Sequence, residues 1–431
     1  DVSLLSTASN FKAKTRTTGH WFGGFQNCAE FCPKLHHLKV NGTKQFEWLN
    51  WKECSDNPVM AQGGTWLYDR AGWCPGTFGT TYDHEITPFI SSGDASVNID
   101  YGMEVTSGGM EGNYRTTVQL VSYGDYNFQN DAGIKDVLAP NDWEFHTRIN
   151  PICDQPRILL KNTGEQDLLS AQIDYWICGG PHETFSWSGQ LEFDQEIEIE
   201  LPISSQSFWD YAQFCKDFHV EIMQVNGTAD ECLENNHYHT TFDVPPVYPE
   251  GIVLWTRTNL VANETKLYIR DVDGNIVFSK INFQSNTLHK DTVILPTGCY
   301  QLELDDTGED GLDFFANNDG SGFFQIRKTT GAPLAGFESD FGKNIIHYFT
   351  VGYGLSIEEN TSMFDFKCYP NPAHNELNIQ TNGFVDDVHF EILDGFGKLV
   401  YQEKLNLSKL NNKNSIDISK LSNGVYFIKV F

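Results

Sequence analysis

Residues 196–201 read EIEIEL, and residues 266–270 read KLYIR. Charged and apolar side chains alternate in both. A period of two puts every second side chain on one face of an extended chain, so each run predicts a half-buried strand and not a helix. The same alternation is found at 38–40, 46–51, 96–101, 116–122, 158–161, 172–178, 220–225, 252–257, 276–283, 292–295 and 299–304, with Gly, Asn and Asp punctuating between runs. Helical runs of Ala, Leu, Glu and Lys are missing. The chain is read as all-β, a series of β-sandwich or jelly-roll domains ending in a small immunoglobulin-like sandwich.

The turn-rich gaps divide it into blocks. Residues 1–15 are polar and unpatterned and read as a linker. Blocks follow at 16–135, 136–248 and 249–355. The second has the size and strand spacing of an immunoglobulin-like sandwich, and Pro245-Pro246-Val247-Tyr248-Pro249 stiffens its end. Residues 356–363 read as a second linker before a last block at 364–431.

The 431 residues carry 58 acidic and 29 basic side chains, a formal net charge of -29. Such a surface repels phosphate backbones and anionic lipid, so nucleic acid is not an expected partner. No apolar run is long enough for membrane insertion. Aromatics at 13% exceed what a disordered acidic chain carries. Ten cysteines point to an oxidising compartment. Most fall in close pairs: Cys28–Cys32, Cys54–Cys74, Cys153–Cys178 and Cys215–Cys232, with Cys299 and Cys368 left over. No basic-then-apolar leader opens the sequence, so Asp1 is not expected to be the natural start.

The stretch 28–75 concentrates structure-fixing residues, with four of the ten cysteines and four of the ten tryptophans. Together with TRTTGH at 15–20, CAEFC at 28–32, Asn57-Pro58 and WLYDRAGWCPG at 66–76 resemble the C-terminal jelly roll of bacterial peptide-N-glycosidase F, over about residues 16–124. That family cleaves the amide bond between asparagine and an N-linked glycan, and its fold is similar to that of copper-dependent peptide monooxygenases. The resemblance implies Glu30 as a catalytic-cleft carboxylate, Arg70 as a substrate contact, and disulfides Cys28–Cys32 and Cys54–Cys74. Exposed faces of Trp66 and Trp73 would stack on sugar C–H groups, with Glu30 and Arg70 bonding hydroxyls. The family's essential aspartate lies on another, N-terminal jelly roll, for which there is no room in the fifteen or so residues before the match. Two readings follow: a glycan- or glycopeptide-binding roll without a complete active site, or an amidase whose second half lies outside this sequence.

The last block, 364–431, resembles the type A sorting domain of type IX secretion. The carrying residues are Tyr369-Pro370-Asn371-Pro372, the hairpin Asp394-Gly395-x-Gly397 and Leu421-Ser422-Asn423-Gly424-Val425-Tyr426. The resemblance implies a secreted or surface protein that passes the periplasm and outer membrane. Its partners would be the type IX translocon and an outer-membrane shuttle barrel.

Three metal readings arise. Asp306, Asp310, Asp313, Asn317 and Asp319, within DDTGEDGLDFFANNDG, offer hard oxygen donors that suit Ca²⁺ without matching an EF-hand; the alternative is a polar loop of Asx-turns. Cys28 and Cys32 near His36 and His37 suggest zinc but lack a second cysteine pair at ligand spacing. His36-His37 and His237-x-His239 suggest copper, but lie in separate blocks without a methionine partner.

Overall fold

The computed structural model spans residues 1–431 and describes 1–21, 29–60, 62–104, 112–352, 365–382, 387–393, 398–406, 413–422 and 424–430. The regular structure of the described residues is almost all strand, with a few short 3₁₀ turns such as Gln206–Gln213. They fall into two compact units, Asp1–Ser356 and Ile357–Phe431.

The first unit holds three sandwiches in series. In the first, Asn10–His20 lies between Thr81–Glu85 and Asn113–Tyr123, and Leu35–Val40 lies between Thr43–Leu49 and Ile99–Met103. Phe11, Ala13, Leu38, Val40, Ile86 and Val97 form the core between these sheets. Residues 1–15 are thus not a linker: Val2–Ser3 pairs with Ser96–Val97, and the long central strand begins at Asn10. Its inward positions are Phe11, Ala13, Thr15, Thr17 and Gly19, all buried. Small and hydroxylated residues facing inward leave almost no hydrophobic alternation to detect.

The second sandwich has seven strands. Arg157–Asn162 lies between Ala132–Ala139 and Glu196–Glu200; opposite, the order is Glu183–Leu191, Leu168–Ile177, Asp217–Val225, His237–Thr241. The first, second and fifth strands form one sheet and the other four the second. The block boundary expected at 135 falls inside Ala132–Ala139. Register shifts in its pairing with Arg157–Asn162 break the period of two that would have marked it. The third sandwich sets five strands, centred on Gly298–Asp306, against four, centred on Gly251–Arg257 and Phe323–Lys328. All five runs expected in this block lie on or overlap strands.

Two expected disulfides are corrected. Cys153 bonds Cys299 and Cys178 bonds Cys215, while Cys54–Cys74 forms as expected. Cys232 and Cys368 are free. Neighbours in sequence are not neighbours in a sandwich. Cys178 follows the strand Leu168–Ile177 and its amide bonds Asp217 O at 3.0 Å, so Cys215 stands beside it across the strand pair. Cys153 meets Cys299 where the cores of the second and third sandwiches touch. Cys32 is disulfide-bonded; its expected partner Cys28 lies outside the described residues.

One arginine ties all three sandwiches. Arg148, 5% exposed, donates to Ser55 O (3.1 Å), Asn57 O (2.8 and 3.0 Å), Phe341 O (3.3 Å) and Asn344 O (2.6 Å). Lys12 and Lys161 converge on Asp194 between the first and second sandwiches.

The second unit has two three-stranded sheets: Asp365–Tyr369, Glu376–Asn382, Lys413–Asp417, and Leu399–Asn406, Asp387–Leu393, Phe427–Val430. Leu377, Phe390, Ile392 and Ile416 form its core. Tyr369 ends the first strand, Pro370, Asn371 and Pro372 make the turn after it, and Gly424 and Tyr426 precede the last strand. Tyr426 donates its hydroxyl to Ser422 O at 2.8 Å. Asn423, the linker expected at 356–363 and the hairpin expected at 394–397 lie outside the described residues.

Candidate functional site

Three short motifs of the first sandwich interlock through their backbones. Gly19 N donates to Ala71 O (3.0 Å), Ala71 N to Glu30 O (2.8 Å), and Trp73 Nε1 to Gly19 O (2.9 Å). Gly72 has φ +78°, and a Cβ there would stand 2.1 Å from Thr17 O. Only glycine fits both demands. This close backbone approach is the physical content of the TGH, AE and DRAGW motifs.

At the centre is Arg70, 4% exposed. It donates to Glu30 Oε1 (3.0 Å), Thr65 O (2.7 Å), Thr65 Oγ1 (3.3 Å), Trp66 O (3.4 Å) and Tyr68 O. Five bonds engage the guanidinium's five N–H groups. Its faces lie 5.0 Å from the Phe31 ring and 5.3 Å from the Trp73 ring. Burial lowers its pKa and Glu30 opposes that shift. Arg70 therefore has no donor left for a ligand; it holds the 65–70 loop and orients Glu30.

Glu30 lines a cleft of about 690 Å³ with Phe31, Trp51, Thr65, Leu67, Tyr68 and Asp69. The other wall comes from the third sandwich: Gly308, Glu309, Asp310 and Phe314. Tyr68 sits edge-on to Phe31 at 6.2 Å and to Phe314 at 5.5 Å, bridging the walls. Ser55 Oγ donates to Glu309 Oε2 at 3.0 Å. Of the expected ligand residues, Glu30 lies in this cleft and Arg70, Trp66 and Trp73 do not line it. Trp66 is fully buried with Leu67 and Phe314, its indole donating to Asp340 Oδ2 at 3.2 Å. Trp73 lies 5.6 Å from His20.

The acidic loop forming this wall is built around Asp306, 2% exposed, whose Oδ2 accepts from Asp310 N and Gly311 N, each at 3.0 Å. Carboxylate oxygens of Glu264, Asp306 and Asp310 lie within 4.8 Å of one another. Asp310 Oδ1 is buried without a hydrogen bond, while Asn317 Nδ2 donates to Asp310 Oδ2 at 2.7 Å. Burial, with Asp310 and Glu264 nearby, pushes the Asp306 carboxyl up to about 7. Burial also raises Asp310 and Glu264, both beside Asp319. Asp306 and Asp310 thus meet as expected. Asp313 accepts from Ser321 Oγ at 2.6 Å instead, and Asn317 presents its nitrogen, not its oxygen, to Asp310. Glu264 was not anticipated. The signal for it is a strand register, because Thr265 pairs with Asp306. Among the described residues His36 and His37 form no joint site, since they alternate across one strand and His36 is fully buried. Burial lowers the His36 pKa to about 4.

Residues 1–123 match the family model "Peptide-N-glycosidase F, C terminal". A curated relative, peptide-N(4)-(N-acetyl-beta-D-glucosaminyl)asparagine amidase F of Elizabethkingia miricola, is 42% identical over 74 residues, 15% of this chain and 21% of that protein. The chain therefore spans about a fifth of that relative's length. Solved structures of recombinant peptide:N-glycanase F and of PNGase F from Flavobacterium meningosepticum are each 24% identical, covering 28% of this chain and 42% of theirs, with TM-scores of 0.26 and 0.25. Residues 367–431 match the secretion system C-terminal sorting domain. The chain is type IX secretion cargo, exported to the cell surface or the extracellular space. No helix among the described residues is long and apolar enough to cross a membrane.

Proposed function

We propose that the exported chain binds an N-glycan or glycopeptide in the cleft between its first and third sandwiches. One observation carries this: Glu30, oriented by Arg70, shares a cavity of about 690 Å³ with Phe31, Trp51 and Tyr68 and with the acidic wall 308–314. Aromatic faces suit sugar C–H surfaces and carboxylates accept from hydroxyls, within the usual ligand-pocket range of about 300–1,000 Å³. The test is a glycan array followed by calorimetry on the folded chain. Tyr68→Ala and Glu30→Gln are each expected to weaken binding about tenfold, roughly 1.4 kcal/mol. A silent array with folded protein overturns the proposal.

Amidase activity is the second reading, favoured by the four carboxylates of Glu30, Asp69, Glu309 and Asp310 in one cleft. Burial raises the Asp310 carboxyl, the direction that suits a general acid. Release of glycans from a denatured glycoprotein decides between the readings, and release that persists in Glu30→Gln removes Glu30 from the chemistry.

Glu264, Asp306 and Asp310 would hold a hard cation, Ca²⁺ by the chemistry of their oxygens, and so fasten the wall. The orphaned Asp310 Oδ1 supports this fit. The sorting domain would dock on an outer-membrane shuttle barrel. Deleting residues 364–431 should strand the chain in the periplasm, and undiminished secretion would remove that role.

A further inference from the structure

The outer face of the four-stranded sheet in the second sandwich collects imidazoles. Trp176 pairs across strands with His219, and His219 with His239. Glu221 pairs with His237 on one side and with Asp174 on the other. Side chains two apart share a face, so Trp176, His219, His237, His239, Glu221 and Asp174 all project outward while Tyr175, Phe218, Val220 and Thr240 point into the core. The three histidine rings lie 5.4, 5.7 and 6.1 Å apart. His219 Nδ1 and His237 Nε2 stand 3.2 Å apart.

We propose that His219, His237 and His239 form a site for a late first-row divalent metal ion, Zn²⁺ or Cu²⁺. Two metal–nitrogen bonds of about 2.0–2.1 Å meeting near the tetrahedral angle separate their nitrogens by about 3.3 Å. The observed 3.2 Å, a hydrogen bond between the two rings, is close to that spacing, so an ion could replace the shared proton. The three rings stack within 24° of parallel and their nitrogens do not converge as they stand. His237 and His239 are exposed, so their rings can turn toward a common ion, and the open face leaves the remaining positions to water or Glu221. Imidazole nitrogen selects this class of metal, whereas Ca²⁺ takes oxygen ligands. Strand His237–Thr241 is an edge strand beside Asp217–Val225, so an ion here would clip that edge to its neighbour. Trp176 lies 5.2 Å from His219, nearly parallel, and serves as a reporter; His182 stacks on it at 4.0 Å.

The test uses the full chain stripped with EDTA. Titration with ZnCl₂ by calorimetry is expected to show one equivalent bound. Outer partners of metal ligands alone are worth about 10–100-fold in affinity, so His219→Ala and His237→Ala should each cost at least about tenfold. His182→Ala should leave zinc binding unchanged. CuCl₂ should quench part of the tryptophan fluorescence, and Trp176→Phe should remove that quenching without changing zinc affinity. No saturable zinc binding by folded protein overturns the proposal. So does zinc binding that survives His219→Ala and His237→Ala but is lost in Asp310→Asn, which would assign the ion to the acidic loop. The cleft and this face are separate sites, so a silent glycan array leaves this result intact.

Discussion

Arg70 and Arg148 are both buried arginines, 4% and 5% exposed, and they do opposite jobs. Arg70 sits in a recognisable motif and bonds residues within five positions of itself, plus Glu30. Arg148 sits in no motif and reaches 91 to 196 positions away, bonding carbonyl and amide oxygens of the first and third sandwiches. A sequence motif marks a group that shapes its own loop. The group that assembles the domains carries no local pattern at all. The candidate cleft depends on both, since one arginine shapes its first wall and the other joins it to the second.

The contrast can be tested at four depths. The largest effect is expected where the junction is covalent. Replacing Cys153 and Cys299 together by serine frees a span of 146 residues, about 5 kcal/mol on the chain-entropy model. Denaturant unfolding should show the loss and a transition split between the second and third sandwiches. Arg148→Met should cost about 3–5 kcal/mol, because several buried carbonyls lose their donor at once. Calorimetry should resolve separate domain transitions in that variant. Arg70→Met should cost about 3 kcal/mol, confined to the first sandwich, by leaving Glu30 without its partner. If both arginine variants lower one undivided transition equally, the contrast between local and assembling roles fails.

The smallest effect concerns the second wall. Asp306 has a folded pKa of about 7 against an ordinary 3.8, raised by burial and then by Asp310 and Glu264. The folded state then holds a proton that the unfolded chain releases across that window, so stability falls as pH rises from about 4 to about 7. In EDTA the melting temperature should drop by a few degrees over this range, and Asp306→Asn should flatten the slope. Added Ca²⁺ should restore the melting temperature at pH 7 in the unmodified chain only. No response to Ca²⁺ or EDTA removes the cation from the acidic loop.

Strand content was legible wherever apolar residues alternate, as in 196–201 and 266–270. It was illegible at Asn10–His20, whose inward side chains are mostly Ala, Thr and Gly, and at Ala132–Ala139, where register shifts interrupt the period. Glu30 could be found because its motif encodes close backbone packing. Arg70 could be found for the same reason, but its occupied donors could not, since they depend on where five oxygens lie in space. Glu264 reaches Asp306 only through a strand register, and Arg148 reaches its partners only through domain packing. The Cys153–Cys299 pairing belongs with these: it is a property of assembly and not of spacing.

That same bond has a consequence for proteolysis of the exported chain. Residues 154–298 contain every turn of the second sandwich after Cys153 and the first hairpins of the third. A cut at any one of them leaves the two pieces held by sulfur. A nicked chain should therefore migrate as one band on a non-reducing gel and as two after reduction, with its cleft still closed by both walls.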